Sequence, residues 1–232
     1  MHNAHVRVCK NICSHHIQPP ESKVYEPVRI AHLGADAYVA RQALTEYAPV
    51  DFSAIVACPE RGQRIAALYA VAPRLERAAL ASYRAFCRET DEQYDFLTGP
   101  TRYGGLGVRV ETTDEDPYPD AGAMLHDLTE HHRLKVFATA ACGNPRPLLS
   151  DEENDRFRAV HDFFGHAGTG RGFDQHGEEA AWVKHARMYS PLARPGNDHG
   201  DTRPEQRAHL DSQRPELSRA EGIPAAPRLL RP

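Results

Sequence analysis

The chain has 232 residues, 41% of them hydrophobic and 26% charged, with a formal net charge of −4, which suits one well-buried domain of ordinary globular composition. A net negative charge gives no general attraction to a phosphate backbone, so strong non-specific nucleic-acid binding is not expected. The longest apolar run, Ile65 to Ala72, is far shorter than the roughly 20 residues that span a bilayer, so no membrane segment is expected.

Residues 1–27 mix charge, histidine and Pro19-Pro20 without helical or strand periodicity and read as a disordered tail. Met1 to Lys10 lacks the apolar centre of a secretory signal, so a cytoplasmic location is the expectation. The five cysteines are odd in number and scattered, unlike a disulfide framework, and are expected to be reduced. The spacing of Cys9, Cys13, His15 and His16 matches no common closed zinc module.

From residue 28 a single α+β domain is expected, mainly helical with a small sheet and running to residue 194. A weak helix near Ala37 to Tyr47 precedes one over Arg61 to Val71. Pro73 then opens a longer helix to about Leu97, in which Leu75, Ala79, Tyr83, Phe86 and, past the polar Thr90, Tyr94 make a stripe facing a core. Gly105 to Thr112 alternates as a strand, Asp120 to His131 has helical spacing, and Leu134 to Thr139 reads as a second strand. His131 and His132 close their helix, where a cation complements the dipole.

Ser150 starts the next helix with a capping box to Glu153. Phe157, Val160, His161 and Phe164 stand at i, i+3, i+4 and i+7, which turns His161 inward. Gly165 is expected to end this helix and let His166 swing back toward His161. A last helix covers about Gly177 to Tyr189, with Glu178, Trp182 and His185 on one face and Glu179 and Val183 turned roughly 100° aside.

The chemistry concentrates in residues 150–190. Neutral imidazoles and a carboxylate are the donors that zinc or non-haem iron takes. The expected ligands of a divalent ion, zinc or iron, are therefore His161, His166 and either Glu178 or Glu179. Glu178 and His185 are two turns apart, about 10.5 Å along a helix axis, too far to share an ion comfortably. Asp162 and His185 are left as orienter or general base, the catalytic candidates. The structural alternative makes His161 a satisfied core histidine and Glu178-Glu179 an acidic first turn.

Two resemblances follow from these residues. The spacing H-x-x-x-G-H over His161 to His166 is similar to the H-E-x-x-G-H motif of aromatic amino acid hydroxylases, with Asp162 where that motif has glutamate. It implies a similar way of binding a metal. More widely, from about Tyr94 to Arg194, the segments GVRVE, LKVF, FRAVHDFFGHA and GEEAAWVKHARMYSPLAR resemble an uncharacterised protein family carried by bacteriophages and related mobile elements. That resemblance implies an intact domain in a phage or prophage setting. In the family SPLAR is followed by something like RAMTTETRGQNS, whereas here PGNDHGDTRPEQ follows. Codons for Pro195 to Arg207 read one base later can spell RAMTTETRGQNS, so residues 195–232 are expected to be an out-of-frame, disordered tail in which His199 and Asp201 carry no site role.

The expected function is a phage-derived metal-dependent enzyme with a His/His/Glu site, either a zinc-type hydrolase or a non-haem iron oxygenase acting on a small-molecule or peptide substrate. The alternative is a non-enzymatic interaction module built on Phe157, Phe163, Phe164, Trp182 and Tyr189, with structural histidines or a structural metal.

Overall fold

The computed structural model describes residues 22–44, 47–59, 62–63, 79–142 and 149–195. Most of the helix expected over 61–71, the start of the one expected from Pro73, residues 1–21 and the segment after 195 lie outside them. The architecture is α+β and mainly helical: α1 (Arg29–Arg41), α2 (Leu80–Thr98), β1 (Arg109–Thr113), α3 (Ala121–His131), β2 (Arg133–Phe137), a short α4 (Thr139–Cys142), α5 (Asp151–Val160), a π-helical stretch His161–Ala167, and α6 (Gln175–Ala186).

The two strands pair in parallel from Arg109↔Arg133 to Thr113↔Phe137. Parallel pairing needs a crossover, and α3 supplies it. Asp120 caps α3 by accepting from the Ala123 amide at 3.0 Å. Met124, Leu125 and Leu128 bury its inner face as their spacing predicts. At its far end Asp127 accepts from the Arg133 guanidinium at 2.9–3.1 Å and from the Tyr118 hydroxyl at 2.9 Å, and Tyr118 in turn accepts the Lys135 amide at 2.9 Å. This group ties α3, the loop before it and β2 together.

α1 begins eight residues before the expected start. Its buried stripe is Ala31, Gly34, Ala35 and Tyr38, and such small residues give little hydrophobic signal while allowing close approach. Ahead of it, residues 22–28, most of which the sequence assigns to a tail, are bonded to the domain. The Tyr25 amide donates to Gly170 O at 2.8 Å, that of Val28 to Ala167 O at 2.9 Å, and Val24 bridges Arg171.

α2 buries Ala85, Phe86, Thr90, Gln93 and Leu97. Gln93 replaces the expected Tyr94 on the inner stripe. Phe86 meets Phe157 of α5 edge-on at 5.2 Å and Tyr189 at 5.3 Å, and Thr90 shares a 2.8 Å hydrogen bond with the Tyr189 hydroxyl. The Ser150 capping box forms as read, with the Glu153 amide donating to Ser150 Oγ at 3.2 Å and the Ser150 amide to Glu153 Oε2 at 2.7 Å.

Asp127→Asn removes the charge behind three guanidinium contacts and should cost about 1.5–3 kcal/mol at neutral pH. Burial opposes ionisation of Asp127, but Arg133 and Tyr118 outweigh it and hold the carboxyl below its ordinary value. A depressed native pKa contributes stability above the unfolded value, about 3.9, and that contribution is lost as pH falls through the lower native value. The difference in unfolding free energy between the two proteins should therefore be full at pH 6–7 and close on acidification, as read by denaturant melts from pH 7 to 3. A constant difference across that range would contradict the assignment.

Candidate metal centre

In an α-helix, residues five apart diverge by about 140°, so His161 and His166 would not share a face. The structure resolves this by widening the turn. From His161 to Ala167 the backbone is π-helical, and the Gly168 amide still reaches Phe163 O, a five-residue hydrogen bond. One widened turn stacks residue i over i+5, and the rings of His161 and His166 lie 5.1 Å apart at 84°. The helix therefore does not end at Gly165, as its sequence suggests.

Gly165 has another role. A Cβ there would lie 3.0 Å from both the Ala181 Cβ and the Ala181 carbonyl oxygen on α6. The bare backbone lets α6 approach closely enough to bring Glu178 over the histidines. Asp174 caps α6, accepting from His176 and Gly177 amides at 3.0 and 3.1 Å, and Glu178 falls in the first turn, where the helix dipole favours a carboxylate.

His161, His166 and Glu178 each present one donor atom, and the three lie within 4.8 Å of one another. Glu178 Oε2 stands 3.6 Å from His161 Nε2 and 3.4 Å from His166 Nε2. Those separations are long for hydrogen bonds. They match what tetrahedral ligands about 2.0–2.1 Å from a common ion require, roughly 3.3–3.4 Å between donors. His166 Nδ1 faces Arg171 O at 3.3 Å; donating its hydrogen there leaves Nε2 as the atom directed at Glu178. The set of two imidazoles and one carboxylate fits a divalent cation.

The electrostatics agree. Burial disfavours charge on His166, yet the Glu178 and Asp162 carboxylates outweigh it and raise the imidazole to about 9. Burial likewise opposes ionisation of Glu178, but His166 and His161 hold it well below the ordinary carboxylate range. A buried carboxylate is thus kept charged by the imidazoles beside it, a role that a metal would take over on binding. Asp162, half-buried beside them, is pushed up to about 6 by burial, against the pull of the two histidines.

A cleft of about 190 Å³ opens onto this group, lined by Phe157, Arg158, His161, Asp162, His166, Phe173 and Glu178. Glu179 is also buried but is not in the donor group, which takes in Glu178. His185 does not line the cleft. It is fully buried, its ring 5.5 Å from that of His161 and stacked on Phe157 at 5.8 Å, so it reaches the cleft only through His161.

Gln93 fixes the state of His185. The Gln93 amide nitrogen donates to Met188 O at 3.2 Å, so its oxygen faces His185 Nε2 at 2.8 Å and Nε2 must carry the hydrogen. Burial first, then the charges on His161 and His166, depress the His185 pKa well below its ordinary value. His185 is therefore neutral with its hydrogen on Nε2. A polar residue on an apolar stripe was the signal for Gln93; Arg171, whose backbone orients His166, had none.

No protein-family profile, curated protein or solved structure matches the chain.

Two outcomes are expected. Nitrogen-15 spectra of the histidines should show His185 in the Nε2-protonated neutral form across pH 6–8, and a cationic His185 there would refute the assignment. Gly165→Ala should destabilise by about 1–3 kcal/mol through overpacking, although alanine normally favours a helix interior over glycine by about 1 kcal/mol. Thermal melts give the sign, and a stabilised variant would contradict the close approach of Ala181.

Proposed function

We propose that this protein is a metal-dependent hydrolase that binds one divalent ion, zinc in the first instance, through His161 Nε2, His166 Nε2 and a Glu178 carboxylate oxygen. The observation that carries this reading is the convergence of those three buried donors at the wall of a cleft. Zinc held by three protein groups with a position left open supplies an acidified water for attack on a substrate bond.

The chain's own residues then divide the work. His166 is oriented by Arg171 O, and Glu178 is presented by the first turn of α6. Asp162 lines the same cleft without belonging to the donor group, which leaves its carboxylate to accept the proton of the attacking water. Phe157 and Phe173 form the apolar part of the wall and limit the water that reaches the reacting groups.

A second reading, a non-haem iron oxygenase, draws on the donor count: two histidines and one carboxylate are also the facial set that iron(II) takes. The two separations from Glu178, 3.4 and 3.6 Å, are nearer the tetrahedral spacing than the roughly 3 Å between adjacent octahedral ligands, and zinc is taken first on that ground.

Metal analysis of the purified protein decides between them. About one equivalent of zinc is expected, lost in His161→Ala, His166→Ala and Glu178→Gln and kept in Glu179→Gln. Stoichiometric iron would move the function to the second reading, and a parent protein without stoichiometric metal would remove both. With metal bound, Asp162→Asn should retain the ion yet lose hydrolytic turnover by about 100-fold or more.

A further inference from the structure

Building on the hydrolase reading, we propose that the cleft accepts a small molecule bearing an oxyanion, a carboxylate or phosphate, and that Arg158 is the residue that receives it. Arg158 and Asp162 both line the cleft and stand four residues apart, a spacing at which opposite charges on an α-helix normally meet. Here they do not. The widened turn beginning at His161 carries Asp162 out of that register, and no ion pair or hydrogen bond joins the two. Among the described residues no carboxylate stands within ion-pair distance of Arg158, although its charge still favours ionisation of Asp162. Its guanidinium is held by weaker contacts on the far side, Nη1 to Phe137 O at 3.2 Å and Nη2 to Cys142 Sγ at 3.4 Å.

A guanidinium carries five N–H donors in a rigid fork that matches a carboxylate or phosphate. The two contacts above position the group and leave donors for a ligand. Charge balance points the same way. With a dication in place the cleft holds that ion, the Glu178 and Asp162 carboxylates and the Arg158 guanidinium, which together leave one positive charge. A monoanionic ligand neutralises it, whereas a cationic one would be repelled.

Size narrows the class. A cleft of about 190 Å³ admits a compact group and suits a small ligand. Phe173, 37% exposed and edge-on to His166 at 5.0 Å, offers an apolar face to the rest of the ligand. Specificity therefore has three parts: an oxyanion at Arg158, the reacting bond near the three donors, and an apolar or aromatic portion against Phe173.

The test uses benzoate and its neutral analogue benzamide as probes on the full-length protein, with metal content measured on the same samples. Benzoate should bind, by calorimetry and by thermal protection, at least ten-fold more tightly than benzamide. Arg158→Gln should weaken benzoate at least ten-fold with metal content unchanged. Equal affinity for the two probes, or unchanged benzoate binding in Arg158→Gln, would overturn the proposal. Should that variant not fold, competition on the parent protein decides: displacement of benzoate by inorganic phosphate supports the shared oxyanion site, and no displacement overturns it. A parent protein without metal removes the hydrolase reading alone. Arg158-dependent benzoate binding in that protein would still support the oxyanion site, and its absence would end both.

Discussion

The burial of the Glu178 carboxylate between two imidazoles is the interaction on which the rest of the arrangement depends. A carboxylate taken out of water costs several kcal/mol unless positive charge and donors meet it. Glu178 is 9% exposed and His166 1%, so water does little of that work. The histidines must therefore stand together, on one side of one helix, under the start of α6. Sequence spacing alone forbids this for an α-helix, and the π-helical turn over His161–Ala167 is the local departure that permits it. Such turns have poorer hydrogen-bond geometry than an α-helix and persist where packing over-determines them.

The packing that does so is built from small residues and one buried arginine. Gly165 lies against Ala181, and Gly34 of α1 lies where a Cβ would meet Leu106 at 2.9 Å and Phe164 at 3.7 Å. Phe164 itself stacks on Phe96 of α2 at 6.3 Å, so the π turn is gripped from three helices. After it, Gly170 takes a φ of +68° that a side chain would resist, which turns the chain into Arg171. The Arg171 guanidinium is buried and donates to Phe52 O, Ser53 O and Ile55 O and to Ser22 Oγ at 2.7–3.3 Å. Its carbonyl faces His166. One residue thus couples two distant segments to the orientation of an imidazole at the centre.

What the sequence shows of this arrangement divides along physical lines. The inward face of His161, the Ser150 cap, α3 and the two strands follow from periodicity and capping chemistry, which act within a few residues. The rotation of about 100° between Glu178 and Glu179 separates them but does not say which meets the histidines; the packing of α6 on Gly165 brings Glu178 to them, and Glu179 is buried as well. The π turn leaves no periodic mark, since a single widened turn shifts the phase only once. α1 is offset because its stripe of alanine and glycine carries little apolar contrast. α6 is buried from Gly177 to Ala186, which the sharing of faces along its sequence does not reveal, and the expected tail at 22–27 is held by backbone bonds that side-chain composition does not announce.

The number of donors bears on whether an ion at this site would be a staple or a reagent. Closed structural zinc sites use four protein ligands, and sites that act on substrates use three and keep a position open. Among the described residues the group contains three donors, and the side without a fourth is the cleft. The nearest carboxylates follow the same division. Glu179 is buried and does not line the cleft, while Asp162 is half-buried on the cleft wall, where burial raises its affinity for a proton. A structural site gains nothing from a base beside its open face. On the proposed reading, a cleft that sets a carboxylate and a guanidinium beside a three-donor group would be organised around something that enters from solvent.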